Sequence, residues 1–312
     1  MRILVVGAGS IGGYFGGRLL EAGRDVTFLV RQRRAAQLAS TGLVIRSPCG
    51  DVTLPAPATI AAEALHDSFD LVLLSCKAYD LQGAMDSLAP AVGTKTAIMP
   101  LLNGMAHLDA LEARFGAARL LGGLCLISTV LDPDGRIIHL NDAHMLSFGE
   151  RDGARSERIA AINAAFSGAR FQARRSEAIL QEMWEKWVFI AAAAGITCLM
   201  RSTIGDIVAA GASDLATALL AECAAIATRH GYAPSADSMD RSEKTLTAAG
   251  SAISASMFRD IERGAPIESE QILGDLLRRG GKEVARQSLL RIAYAHLQTY
   301  EARRLREAKA QL

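Results

Sequence analysis

Short unbroken apolar runs alternate with helical stretches through the first half of the chain and then give way to helical pattern alone. Ile3, Leu4, Val5 and Val6 form an apolar run that ends on glycine, and residues 11–22 have helical composition and stop at Gly23. An apolar run without polar alternation is buried on both faces, as strands of a parallel sheet are when crossover helices cover them. Residues 26–30 and 70–76 predict two more such strands, and 97–102 another that closes on Asn103-Gly104. Residues 43–57 hold three prolines and alternate weakly, which predicts irregular edge strands. A strand over 120–130 precedes the turn Asp132-Pro133-Asp134-Gly135, after which 137–140 is expected to pair with 145–148. Beyond residue 176 the chain is rich in alanine, leucine, arginine and glutamate, with interruptions at Gly205, Gly211, Gly231 and Gly264. The pattern predicts an α/β Rossmann-type N-terminal domain over 1–176 and an all-α C-terminal domain over 177–312.

The first strand runs directly into Gly7-Ala8-Gly9-Ser10-Ile11-Gly12 and a helix. In that context the glycine spacing has a physical reading. Gly7 permits the tight turn, Gly9 lets backbone approach a pyrophosphate, and Gly12 lets helix and strand pack closely. The anion then sits on the helix N-terminus. An NAD site would place a carboxylate near the end of the second strand to take the ribose 2′-hydroxyl. This chain has Val30-Arg31-Gln32-Arg33-Arg34 there, and Arg31 suits the 2′-phosphate of NADP.

Composition narrows the partners. The 34 basic and 33 acidic residues of this 312-residue chain nearly cancel, so no strong field favours nucleic acid or an anionic membrane. A small-molecule ligand fits better. Cys49, Cys76, Cys125, Cys198 and Cys223 are scattered without a C-x-x-C pair, which reads as reduced core thiols. The glycine turn follows Met1 too closely for a signal peptide, so the cytoplasm is expected. The apolar run 187–200 is shorter than the roughly 20 residues of a membrane span and is read as a buried helix. His107, His139, His144 and His230 show no metal spacing and are read as structural.

Four further segments stand out: Ser75-Cys76-Lys77-Ala78-Tyr79, Leu102-Asn103-Gly104-Met105, Met183-Trp184-Glu185-Lys186-Trp187, and Ser254-Ala255-Ser256-Met257-Phe258-Arg259-Asp260 with Ile267-Glu268. Glu268 follows Ser256 by twelve positions. With the glycine turn and Arg31, these segments resemble the ketopantoate reductase family (2-dehydropantoate 2-reductases, ApbA/PanE-like) over nearly the whole chain. The resemblance implies reduction of a 2-oxo acid to a 2-hydroxy acid by NADPH, ketopantoate to pantoate in pantothenate biosynthesis. It implies Lys186 as general acid, Asn103 aligning cofactor and substrate, and Glu268 orienting Lys186 or touching the nicotinamide side. Ser256 would hydrogen-bond the substrate carboxylate, while Lys77 and Ser128 would contact the cofactor. The chemistry needs these types, because the carbonyl oxygen gains charge as hydride arrives and a lysine ammonium both stabilises it and donates the proton. Active-site closure between the two domains is expected, and a homodimer through the helical half is compatible with the pattern.

The chain departs from the family where substrate is gripped. Asparagines expected after the lysine and before the serine are Ile190, Ala194 and Ile253. Each lost amide partner costs a polar substrate about 1–3 kcal/mol. A more apolar 2-oxo acid is therefore the alternative substrate. A non-catalytic NADP-binding redox sensor is the alternative of another class, and a hydroxyisobutyrate- or phosphogluconate-type dehydrogenase is a third.

Overall fold

The computed structural model describes residues 1–284 and 286–310, so the expected end of the helical domain at Leu312 lies outside the described residues. The chain divides into two compact units. Met1–Leu102 and His107–Leu180 form the first, and Asn103–Ala106 with Gln181–Leu312 form the second.

The first unit carries ten strands: β1 (Arg2–Val6), β2 (Asp25–Leu29), β3 (Leu43–Arg46), β4 (Val52–Leu54), β5 (Thr59–Ile60), β6 (Leu71–Leu74), β7 (Ala97–Pro100), β8 (Leu121–Leu131), β9 (Ile137–Glu150) and β10 (Gln172–Arg175). Its helices are α1 (Ser10–Glu21), α2 (Gln32–Thr41), α3 (Leu81–Leu88), α4 (Ala106–Phe115) and α5 (Glu157–Phe166). The first sheet is parallel in the order β5-β2-β1-β6-β7, as the unbroken apolar runs require. Successive side chains leave a strand on opposite faces. Along β1 that period sends Ile3 and Val5 into one buried cluster with Phe15 and Phe28, and Leu4 and Val6 into another with Leu74 and Leu88. Full burial of each such side chain contributes roughly 1.5–3 kcal/mol, so both faces lock the strand that delivers the glycine turn.

A second sheet runs β10-β9-β3-β4, with β8 pairing β9. Two expectations are corrected here. Residues 137–140 and 145–148 do not pair with each other: both lie on the continuous strand β9, where Ile138 faces Val130 and Met145 faces Leu126 of β8. Residues 140–143 have no strand-pairing partner on β8 and lie opposite Ser128, between the pairs His139–Thr129 and His144–Ile127. A register shift between Ile127 and Thr129 absorbs the irregularity, and the Ser128 N–H donates to Asn141 Oδ1. Of the proline-bearing segment, only β4 is an edge strand, since β3 lies between β4 and β9.

Helices alone follow β10 among the described residues: α6 (Ile179–Met200), α7 (Ile204–Ala209), α8 (Ser213–Arg229), α9 (Ala236–Leu246), α10 (Ser256–Glu262), α11 (Asp275–Gly280) and α12 (Leu289–Lys309), with a π-helical turn at Glu270–Gly274. α8 packs against α9, α11 and α12. α6 has 22 residues, longer than its apolar core alone predicts, and is apolar enough to cross a membrane by length and composition. Its apolar window is two-thirds buried inside the protein, which is the burial of a core helix. Cys125, Cys198 and Cys223 are buried as expected, Cys76 is half-buried and packs against the core beneath the parallel sheet, and Cys49 is half-buried. Burial pushes the Cys198 thiol up to about 12, so it stays protonated and inert.

Candidate functional site

The glycine turn is held from below by strand backbone. The Gly7 N–H donates to the Leu29 carbonyl, 3.0 Å away, and Gly7 has φ +91°, a left-handed conformation that glycine adopts without strain. At Gly12 a Cβ would stand 2.1 Å from Ser75 Oγ and 2.2 Å from the Gly7 carbonyl, so only glycine lets α1 come this close. At Gly9 the position of a Cβ is open space. Gly9 is also the N-cap of α1 and brings no side-chain cap, which leaves first-turn N–H groups of Ser10 and Ile11 for an anion. Ala8 is buried, and its carbonyl accepts from Arg34 Nε at 3.0 Å.

Arg34 is a cation that sequence reasoning passed over. Its Nη1 donates to Gln37 and to the Gly135 carbonyl, while its Nη2 is buried with no partner among the described residues. Burial holds its pKa below the ordinary guanidinium value. An orphaned donor beside the glycine turn, together with the open space at Gly9, fits an anionic dinucleotide. Arg31 stands at the N-cap of α2, 84% exposed, and its Nη2 donates to Asp80 Oδ1 at 2.7 Å. That hydrogen bond, and then the Asp80 charge, raise the Arg31 pKa. Lys77 caps the short turn Ala78–Asp80, so the lysine segment and Arg31 meet through Asp80. Asp80 was not anticipated, although it lies only three residues past Lys77. Ser128 is half-buried on β8 at the register shift.

In the second unit α6 is the common anchor. Lys186 is half-buried on it, between buried Trp184 and Trp187. Trp184 stacks on His230 and Tyr232, each 5.4 Å away, and Arg279 lies over both tryptophan rings. The segment before Ser256 is tied to α6 by the Ala255 N–H, which donates to Thr197 Oγ1. The segment after Glu268 is tied to it by Trp187 Nε1, which donates to the Ile272 carbonyl at 2.9 Å. Ser256 itself is exposed at the start of α10, and Glu268 is half-buried. Asn103 is half-buried and belongs to this same unit, where Gln271 Nε2 donates to its carbonyl at 2.9 Å. Asn103, Lys186, Ser256 and Glu268 are thus gathered in one unit; the glycine turn, Arg31, Lys77 and Ser128 are in the other. Of the three aliphatic replacements, Ile190 is half-buried, Ala194 is buried and Ile253 is 48% exposed.

Residues 3–153 match the family described as ketopantoate reductase PanE/ApbA, and residues 178–301 match its C-terminal counterpart. The chain belongs to the ketopantoate reductase family. It is 40% identical to a Bacillus subtilis protein named uncharacterized oxidoreductase YkpB, over 97% of this chain and 99% of that one. It is 30% identical to a 2-dehydropantoate 2-reductase of Mesorhizobium japonicum, over 88% of this chain and 89% of the relative. The crystal structure of a 2-dehydropantoate 2-reductase from Geobacter metallireducens superimposes with a TM-score of 0.86 at 29% identity, covering 96% of this chain and 99% of the other. This ketopantoate reductase family member is therefore an oxidoreductase with a parallel-sheet N-terminal region and a helical C-terminal region.

Proposed function

We propose that this protein reduces a 2-oxo acid to the 2-hydroxy acid with NADPH, and that 2-dehydropantoate is the first substrate to test. The observation that carries this reading is the attachment of Lys186, Ser256, Glu268 and Asn103 to one helical unit by named hydrogen bonds, in a chain of the ketopantoate reductase family. NADPH, when bound, supplies the hydride. The N–H groups of the Gly7-to-Gly12 turn hold its pyrophosphate, and Arg31 with Arg34 supplies positive charge for its phosphates. Lys77 and Ser128 complete the cofactor contacts. Asn103 aligns cofactor and substrate. Ser256 donates a hydrogen bond to the substrate carboxylate. Lys186 stabilises the charge growing on the carbonyl oxygen and gives it a proton, and Glu268 orients the ammonium.

A second substrate reading rests on Ile190, Ala194 and Ile253. Three aliphatic side chains where the family grips with amides favour a 2-oxo acid with a larger apolar chain, since an apolar group loses no hydrogen bond against them. None of the five cysteines is in a disulfide, which agrees with action in the reducing cytoplasm, and sedimentation decides between monomer and homodimer. The function is tested by following NADPH absorbance with 2-dehydropantoate and with branched and aromatic 2-oxo acids. Turnover of at least one is expected, with preference for the apolar members if the second reading holds. NADPH binding without turnover of any member would favour the redox-sensor alternative.

A further inference from the structure

The π-helical turn at Glu270–Gly274 touches two of the candidate catalytic segments and follows the third directly. Backbone of this kind is rare and recurs at functional sites. Ile272 receives the indole N–H of Trp187, the residue next to Lys186, and its own N–H donates to the Glu268 carbonyl at 3.0 Å. Its neighbour Gln271, 8% exposed, reaches the Asn103 carbonyl with Nε2. Asn103-Gly104 lies so close to this turn that a Cβ on Gly104 would be 2.6 Å from the Gln271 carbonyl, and Gly104 has φ +79°. From Lys186 to Asn103 the connection therefore runs through adjoining residues and two hydrogen bonds: Trp187 to Ile272, then Gln271 to Asn103. Glu270 is held from the other side by Tyr294 and Arg278, which fixes the turn itself.

We infer that Gln271 is a positioning residue, whose carboxamide sets Asn103 relative to Lys186 and Glu268. It acts on Asn103 through the backbone carbonyl and has no role in the proton transfer. The inference rests on the reductase reading for its effect on rate, but the hydrogen bond and its consequence for the Asn103–Ala106 loop stand apart from it. A misplaced reacting group of even 1 Å can cost about a hundredfold in rate.

The test is a double-mutant cycle. Gln271→Met, nearly the same in volume and without the donor, should lower kcat about ten- to a hundredfold while the Kd for NADPH changes less than about threefold, because the phosphates are held by the glycine turn. Gln271→Glu keeps the shape, removes the donor and should give a similar loss. In an Asn103→Ala background, Gln271→Met should cost almost nothing further, because the side chain it positions is gone; a merely structural role would give the same loss in both backgrounds. Equal losses, or a kcat within twofold of wild type, would overturn the inference. If the wild-type protein reduces no 2-oxo acid, the reductase reading fails by itself. Hydrogen exchange then decides the positioning: Gln271→Met should lower protection of the Asn103–Ala106 amides, and unchanged protection overturns it.

Discussion

The glycine turn and the lysine helix solve the same problem, holding reactive groups in place, by opposite means. The turn is six consecutive residues that would act through backbone N–H groups in the proposed reductase, and its geometry is enforced by the absence of side chains at Gly7 and Gly12. The candidate catalytic groups are spread from Asn103 to Glu268 and, in the proposed reaction, would act through side chains. They are held by hydrogen bonds from Trp187, Gln271 and Thr197, residues with no part in the proposed chemistry. A backbone site is therefore broken by adding atoms, whereas a side-chain site is broken by removing them.

The largest effect on this contrast should come from Gly12→Ala. The added methyl meets Ser75 Oγ and the Gly7 carbonyl far inside contact distance, so α1 must move off β1. NADPH binding, measured by fluorescence titration, should fall by at least about a hundredfold, equivalent to about 2.7 kcal/mol. Next is Trp187→Phe, which keeps an aromatic body but leaves the buried Ile272 carbonyl without its donor. Chemical unfolding should show a loss of about 1–3 kcal/mol. If stability is unchanged, the anchoring of the π-turn to α6 is not as described.

Cofactor choice sharpens the turn's side of the comparison. Arg31→Ala should reduce the ratio of NADPH to NADH affinity about tenfold, since a charge-assisted bond is worth roughly 1.5 kcal/mol or more. Asp80→Asn should move the ratio the other way by a smaller factor, because the carboxylate competes with phosphate for Arg31. A ratio that ignores both substitutions would remove Arg31 from the site.

The smallest effect concerns a part-buried cluster on α1, where the Tyr14 hydroxyl and His144 Nδ1 share a hydrogen bond of 2.8 Å. Burial, reinforced by the charges of His139 and Arg18, holds His144 below the ordinary histidine range. An unfolded histidine titrates near 6.5, so below that pH the unfolded chain takes a proton that the folded protein refuses. The contribution to stability is thus complete above about pH 6.5 and declines as pH falls toward the folded value. His144→Gln, whose amide can donate to or accept from the Tyr14 hydroxyl, should flatten the loss between pH 7 and 5 in thermal unfolding.

The two regions are unequally legible in the sequence, because a backbone site is written in glycine spacing and a side-chain site in tertiary contacts. The parallel sheet was legible because residues 3–6 of β1, β6 and β7 are unbroken apolar runs and β2 is apolar over 26–29 except at Thr27, and the turn because steric demand leaves glycine no substitute. β9 differs from the expected hairpin because the polar stretch 141–144 carries a loop's composition, whereas the segments on both sides of it pair with β8 instead of with each other. Arg31 could be picked out by position, but its partner Asp80 could not, since that pairing is tertiary. Arg34 read as one more basic residue until its contact with the Ala8 carbonyl was seen. Gln271 carries no pattern, and Trp187 lies in the lysine segment with no role of its own there; the contacts of both arise only where the π-turn meets Asn103 and α6.

In the proposed reaction Lys186 gives the proton to the carbonyl oxygen of a 2-oxo acid. The most direct measurement compares wild type and Lys186→Ala in NADPH oxidation with the best substrate of the 2-oxo acid panel, alongside NADPH affinity. The account predicts a kcat lower by about 10²–10⁴-fold with cofactor affinity nearly unchanged. A variant that turns over within a few-fold of wild type would contradict it.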